Sequence, residues 1–338
     1  MSARPRLYTH AHMRSAVEVE AAVARVRGRP VFTAWRLSLI LMLAIAGPCV
    51  FTLPWSIQYH DVAIAPSWTP PGADAWLGTD QQGRSLLWRC LLGGAVSLGI
   101  GLAAATVAVI IGVLYGCIAG ARGGQTDATM MRGVDVLYGL PYILLVVLID
   151  MAIGPPLVPA VAWGLSTLES ATGWAFGRGW TDAIRPTAVA DVLSLLIAIG
   201  VVSWLTLARV IRGQVLSLRR QPFMEAARAF GTGPWRMLRW HLLPNLTGPI
   251  IVYTTLTIPT AILQESFLSF LGIGVQELPS WGRLASDGME SLHALGRPGA
   301  ELRWWLIVWP CLLLGLTLMA LNLLGDALRE RLDPRSVK

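Results

Sequence analysis

The sequence predicts an all-α integral membrane protein with six spanning helices. Three observations carry that prediction. The first is composition: of 338 residues, 54% are hydrophobic and only 14% charged, with a mean hydropathy of +0.57. A soluble domain carries about 25% charged residues, so most of this chain's surface does not face water. The second is the recurrence of apolar runs. A hydrocarbon core about 30 Å thick takes roughly 20 apolar residues per crossing, and such runs fall at 37–53, 91–119, 136–154, 188–208, 247–263 and 304–325. The third is the placement of arginine in alternate connecting segments.

The elements follow in order. The first 30 residues are polar and arginine-rich. They lack the apolar stretch of a cleavable signal peptide, so the first span is expected to do the targeting. Residues 1–36 read as a cytoplasmic arm, with Arg25, Arg27, Arg29 and Arg36 expected to anchor the first span at an anionic inner leaflet. Residues 37–335 read as one six-span domain. The second span carries no charge and is long enough to tilt or project. Gly154-Pro155-Pro156 are expected to end the third. The apolar stretch 157–166 that follows is too short to cross. Pro259 lies inside the fifth, which membrane helices tolerate when neighbours satisfy the freed carbonyl.

Charge decides orientation. With the N-terminus inside, segments 1–36, 120–135, 209–246 and 326–338 hold 7, 2, 7 and 4 Arg/Lys. The outer segments 54–90, 155–187 and 264–303 hold only 2, 2 and 3. The positive-inside rule selects this arrangement, with both termini cytoplasmic. Trp35, Trp55, Trp163, Trp204, Trp304 and Trp305 fall near the expected interfaces, where amphipathic rings settle.

Several chemistries are excluded. Lys338 is the only lysine, so no phosphate-binding loop and no lysine Schiff base can form. His10, His12, His60, His241 and His293 all lie outside the predicted spans, and no HExxH or GxSxG occurs, which argues against an intramembrane protease. Cys49, Cys90, Cys117 and Cys311 show no metal or redox spacing and read as small apolar fillers. The basic charge follows membrane topology and gives no sign of nucleic-acid binding. The expected partner surface is the lipid bilayer.

The longest cytoplasmic segment, 209–246, is the informative one. Pro222 sets a helix start, Phe223 to Phe230 suit a short helix, and Gly231 can take a left-handed stop. Glu225 lies in the first turn, where negative charge suits the helix dipole. Leu243 and Pro244 lead into the fifth span. Alone, this stretch reads equally well as an alanine-rich helix in a basic loop.

Its company is more specific. Glu225, Ala226, Ala227, Gly231, Leu243 and Pro244 resemble the EAA motif of ABC-importer permeases, with His241 in place of the usual isoleucine. His241-Leu242-Leu243-Pro244-Asn245 is similar to the H-x-x-P-N form of the dipeptide/oligopeptide branch. Leu77-Gly78-Thr79-Asp80-Gln81-Gln82-Gly83-Arg84 resembles that branch's LGTDxxGRD segment, with Ser85 where Asp is usual. Gly120 to Gly124, Asp127, Arg132 and Asp135 resemble its next cytoplasmic turn. Leu268 to Gln276, then Pro279-Ser280-Trp281-Gly282, resemble its last outer loop, and Asn322 to Asp326 with Leu332-Asp333-Pro334-Arg335 its C-terminal signature. Over residues 76–335 the chain is identified as a member of the peptide/nickel group, second (C-type) permease.

The resemblance implies a type I ABC-importer permease (MetI-like) fold in a bacterial inner membrane. It implies a heterodimer with a second permease, two ABC ATPase subunits and an extracytoplasmic solute-binding protein. No cofactor is expected on this chain; ATP and Mg belong to the ATPase partners. The helix around Glu225 is implied to couple nucleotide-driven closure to the spans, and the cargo to be a di- or oligopeptide. One departure is the long outer segment 155–187, which either caps the outer mouth or is a tolerated insertion. Two carboxylates are candidates for the translocation path. Asp150 either lines it or reaches the outer interface. Glu265 either lines it or pairs with the second permease. A proton-coupled secondary transporter using these two groups, and a scaffold without transport, are the rival readings.

Overall fold

In a computed structural model, the chain is described over residues 31–172, 185–293 and 302–332. Arg25, Arg27 and Arg29, residues 173–184 of the outer segment, and Asp333 to Arg335 lie outside the described residues. Ten helices carry the described architecture. They are α1 (Val31–Phe51), α2 (Leu53–Tyr59), α3 (Leu86–Arg122), α4 (Gly124–Tyr138), α5 (Tyr142–Thr172), α6 (Pro186–Leu218), α7 (Pro222–Ala229), α8 (Leu243–Phe270), α9 (Trp281–His293) and α10 (Trp305–Leu332). A short turn at Pro234–Arg236 and a π-helical segment at Met237–Leu242 run directly into α8.

Among the described residues, five helices are long and apolar enough to cross a membrane, and α1 with α2 makes a sixth span if the bent pair counts as one. The pair bends by 58°. Pro54, in the first turn of α2, has no N–H to return to the carbonyl four residues back, which is where helices kink.

The third span departs from expectation. Pro155, Pro156 and Pro159 lie inside α5, which continues unbroken to Thr172 and absorbs the stretch 157–166. Each proline forfeits one backbone bond without ending the helix, because the turns on either side keep theirs and no cheaper backbone form exists in lipid. Much of the supposed outer loop is therefore helix.

The centre of the bundle is the seam between α3 and α6, the most extensive helix contact. Gly112, Gly116 and Gly120 recur every fourth residue on one face of α3. A Cβ on each would sit 2.9 Å from Leu207 Cβ, 2.6 Å from the Ala208 carbonyl and 2.8 Å from Val215 Cβ. The backbones approach only because these side chains are missing. Around the seam, Ile100, Ala104, Ala108, Val146, Ile199, Leu205, Ala261 and Leu268 join α3, α5, α6 and α8 in one buried cluster. α10 packs on α1, α8 and α9. Trp204 belongs to this core: it is buried, with its ring 4.6 Å from Tyr115. Trp305 is also buried and donates Nε1–H to the Thr79 carbonyl at 3.3 Å. Neither ring is at a lipid interface, because each has a partner inside the chain.

The end of α8 explains a motif. Gly272 has φ of 77°, its N–H bonds the Ser269 carbonyl, and the next N–H, of Ile273, returns to Leu268. That left-handed stop turns the chain toward α9.

Gly116→Val should lower stability by about 1–3 kcal/mol through overpacking of the seam. Heating the detergent-solubilised chain and measuring the fraction still folded checks this. Gly99→Val, on the same helix with open space around it, should leave the curve unchanged.

Candidate coupling and translocation site

Segment 209–246 builds its helix by local rules. Gln221 is extended (φ −78°, ψ 144°), as the residue before a proline must be, and Pro222 opens α7. Glu225 sits in the first turn. At the other end Gly231 takes φ of 73°. Its N–H bonds the Arg228 carbonyl at 2.9 Å, and the Thr232 N–H bonds Ala227 at 3.1 Å. The short helix and its glycine stop lie where the residues predict them.

The two faces of α7 differ. Met224 is fully buried and Ala227 nearly so. Both enter a cluster with Val113 and Cys117 of α3, Leu207, Ile211 and Val215 of α6, and Met237, Leu242 and Leu246 at the start of the next span. Glu225 and Ala226 are exposed, Phe223 is 41% exposed and Phe230 90%. A helix seated by one face on three spans, with aromatic and acidic groups facing away, has the build of a docking element.

Leu243 and Pro244 open α8 and are exposed. Just before them the ladder is π-helical, and the Leu243 N–H reaches back to Leu238. Asn245 donates its side-chain N–H to the His241 carbonyl at 2.7 Å. The His-to-Asn spacing thus serves a backbone group within the widened turn.

Ion pairs fasten α4 beside this element. Arg212 of α6 forks onto Asp127 at 2.7 and 2.6 Å. Arg209 bonds Asp135 at 2.8 Å and lies over the Tyr138 ring at 4.1 Å. Arg219 donates to the Gly120 carbonyl at 2.8 Å.

The two candidate path carboxylates are placed differently. Asp150 is half-buried between α5 and α6 and accepts a hydrogen bond from Ser194 Oγ at 2.6 Å. Glu265 is fully buried within the chain, so its carboxylate reaches neither a partner surface nor an open passage in this structure. Ser269 Oγ donates to it at 2.8 Å and Ser266 Oγ at 3.2 Å, with Ser97 and Ser280 close by. Burial of this kind ties α3, α8 and the approach to α9 around one group. The accessible polar surface near it belongs to its neighbour Gln264, on the wall of a 560 Å³ cavity between α4, α5, α6 and α8. Tyr142 OH donates to Gln264 Oε1 at 2.6 Å.

Comparison with known proteins decides the family. Residues 112–338 match the family described as binding-protein-dependent transport system inner membrane component. The chain is a member of that family. It is 37% identical to the dipeptide transport system permease protein DppC of Bacillus subtilis (strain 168) over 300 residues, 88% of this chain and 79% of the relative. It is 39% identical over 301 residues to the oligopeptide transport system permease protein OppC of Haemophilus influenzae, covering 88% and 83%. A native crystal form of the inward-facing MetNI methionine ABC transporter aligns over 73% of this chain and 97% of its own, with a TM-score of 0.50 and 17% identity. That likeness shows the type I importer-permease fold. This permease is a multi-pass membrane subunit and not an enzyme, since ATP hydrolysis in the family belongs to separate subunits. The family works with ATPases, a further permease and a substrate-binding protein.

One cluster in this permease is absent from the candidates read from sequence. At the end opposite α7, Asp80 Oδ2 accepts from Arg89 at 2.6 Å and from Arg84 at 2.7 Å. Its Oδ1 accepts the Gln82 and Arg84 backbone N–H groups, both at 2.9 Å. Arg84 reaches Asp61 at 2.7 Å, and Arg89 reaches Asp287 of α9 at 3.3 Å. Asp80 and Arg89 are nearly buried. Beside them Trp281 is fully buried and donates Nε1–H to the Cys90 carbonyl at 3.0 Å. Gly282 follows with no room for a Cβ against the Ser266 carbonyl. The LGTD and PSWG stretches are thus a single interlocked unit. Asp80 and Arg84 stand in the motif, but the link through Arg89 to Asp287, 198 residues further on, leaves no local signal.

Two predictions follow from this geometry. Met224→Ala should cost about 2–5 kcal/mol as a buried large-to-small change, while Phe230→Ala leaves the thermal midpoint in place. Arg89→Leu should cost about 1–3 kcal/mol, because the buried Asp80 carboxylate loses one charged donor while keeping Arg84 and the two backbone N–H groups. Thermal unfolding of the purified permease distinguishes all three.

Proposed function

We propose that this chain is a permease subunit of a binding-protein-dependent importer for di- and oligopeptides. It pairs with a second, related permease, two ATPases that hold ATP and Mg, and an extracytoplasmic binding protein. It sits in a bacterial inner membrane with both termini cytoplasmic, an orientation supported by the arginine distribution. The peptide cargo is supported by its similarity to dipeptide and oligopeptide transport permeases such as DppC and OppC.

The observation that carries the mechanism is the seating of α7. Met224 and Ala227 lock it to α3, α6 and the π-helical start of the next span, while Phe223, Glu225, Ala226 and Phe230 face outward. ATP-driven closure of the ATPases moves this helix. Its buried face passes the displacement to three spans at once, and the permease pair alternates between outward and inward openings. Leu243 and Pro244 continue the coupling segment into α8.

Gly231→Val tests the coupling role. No atom lies near the place its Cβ would take, so the cost is the left-handed backbone alone, about 1–2 kcal/mol. Insertion should persist while peptide uptake in membrane vesicles falls several-fold. Full uptake by this variant would remove α7 from the mechanism. Purification from native membranes in mild detergent should bring down a second permease and ATPases. Recovery of the chain alone would sink the importer reading.

A further inference from the structure

The 560 Å³ cavity contrasts with the cavities at the Asp80 end, whose walls are rich in Arg, Asp and Glu. Its wall contains no Asp, Glu, Lys, Arg or His. The polar groups on it are the hydroxyls of Tyr142, Ser203, Thr206, Thr257 and Thr260, with others of the same kind, and one amide, Gln264. All come from helices that cross the membrane or border it, where exposed polar groups are costly and mark a function.

The hydrogen bonding gives this wall a direction. Gln264 Oε1 accepts from Tyr142 at 2.6 Å and from Ser203 at 3.4 Å. That fixes the amide and leaves its Nε2 hydrogens as donors; among the described residues no hydrogen bond takes them. Thr257 donates to the Tyr253 carbonyl and Thr260 to the Thr257 carbonyl, each at 2.7 Å. Their protons are therefore committed and their oxygen lone pairs remain as acceptors. One face thus offers a donor from Gln264 and acceptors from Thr257 and Thr260, on successive turns of α8. A peptide unit presents the complement: a carbonyl acceptor and an N–H donor.

We infer that this cavity is a charge-free main-chain subsite, in which Gln264 donates to a backbone carbonyl of the passing peptide and the α8 threonines accept a backbone N–H. The inference rests on the peptide-importer reading. Because the wall holds no charge, it offers a charged cargo side chain neither an ion pair nor a like-charge clash. It reads what every peptide shares, and Tyr142 acts as a positioning residue for the amide.

The test uses the complete transporter, with both permeases, ATPases and binding protein, reconstituted in liposomes. The probes are tri-alanine and its analogue with one internal amide replaced by an ester. Gln264→Leu and Thr257→Val should each lower tri-alanine uptake about three- to tenfold, the worth of one hydrogen bond. Stimulation of ATP hydrolysis by the loaded binding protein should persist. In both variants the preference for amide over ester should shrink; any preference of the binding protein cancels between variant and parent. Wild-type uptake by both variants, or an equal fall for both probes, overturns the subsite. Thiol labelling of Gln264→Cys in a Cys311→Ser background gives an independent readout. The subsite requires a reactive thiol that tri-alanine protects. A thiol unreactive in every nucleotide state means that the second permease fills the cavity, and overturns it too. If the unaltered transporter takes up no tri-alanine at all, the peptide reading itself fails.

Discussion

The close approach of α3 and α6 is the constraint on which the rest of this permease depends. Lipid tails are as apolar as leucine, so helices in a bilayer gain little from hiding apolar side chains and associate through packing. Gly112, Gly116 and Gly120 remove the obstacles on one face of α3, and Leu207, Ala208, Ile211 and Val215 fill the groove so formed. α5 then packs on α6, and α8 on both members of the seam. Gly200 against Val107 and Gly101 against Ile262 extend the same close fit along the bundle.

The seam also seats α7. Its lower half contributes Val113, Cys117, Leu207, Ile211 and Val215 to the cluster that receives Met224 and Ala227. A close-packed interior transmits displacement because it has little slack to absorb it. The Arg212–Asp127 and Arg209–Asp135 pairs add α4 to the same body. Partly exposed pairs of this kind are worth little individually. They fix the register of α4 against α6.

The opposite end is held by charge. Asp80 and Arg89 are nearly buried, and the pair gains from its geometry, with four donors on one carboxylate. It joins the segment before α3 to α9, and the Trp281 indole closes the joint. Glu265, ringed by serines from α3, α8 and the approach to α9, sits between this joint and the cavity wall at Gln264. One end of the bundle is therefore an apolar seat for the short helix α7. The other is an ionic clasp that orders the connecting segments.

The sequence by itself determined the class, the apolar runs that form the spans, the short helix opened by Pro222 and its stop at Gly231. These depend on composition and on rules reaching a few residues: apolar run length, proline at a helix start, glycine where φ is positive. The tertiary structure alone decided what each group meets. Pro155 and Pro156 read as a stop, but the turns around them hold, and α5 runs on to Thr172. Trp204 and Trp305 read as interfacial, but Tyr115 and Thr79 receive them inside. Glu265 is enclosed, and its neighbour Gln264, one residue earlier on the helix, faces the cavity. A helix of 3.6 residues per turn sends adjacent residues in directions about 100° apart. Which direction is core and which is cavity depends on helices far away in the chain, and no local pattern encodes it.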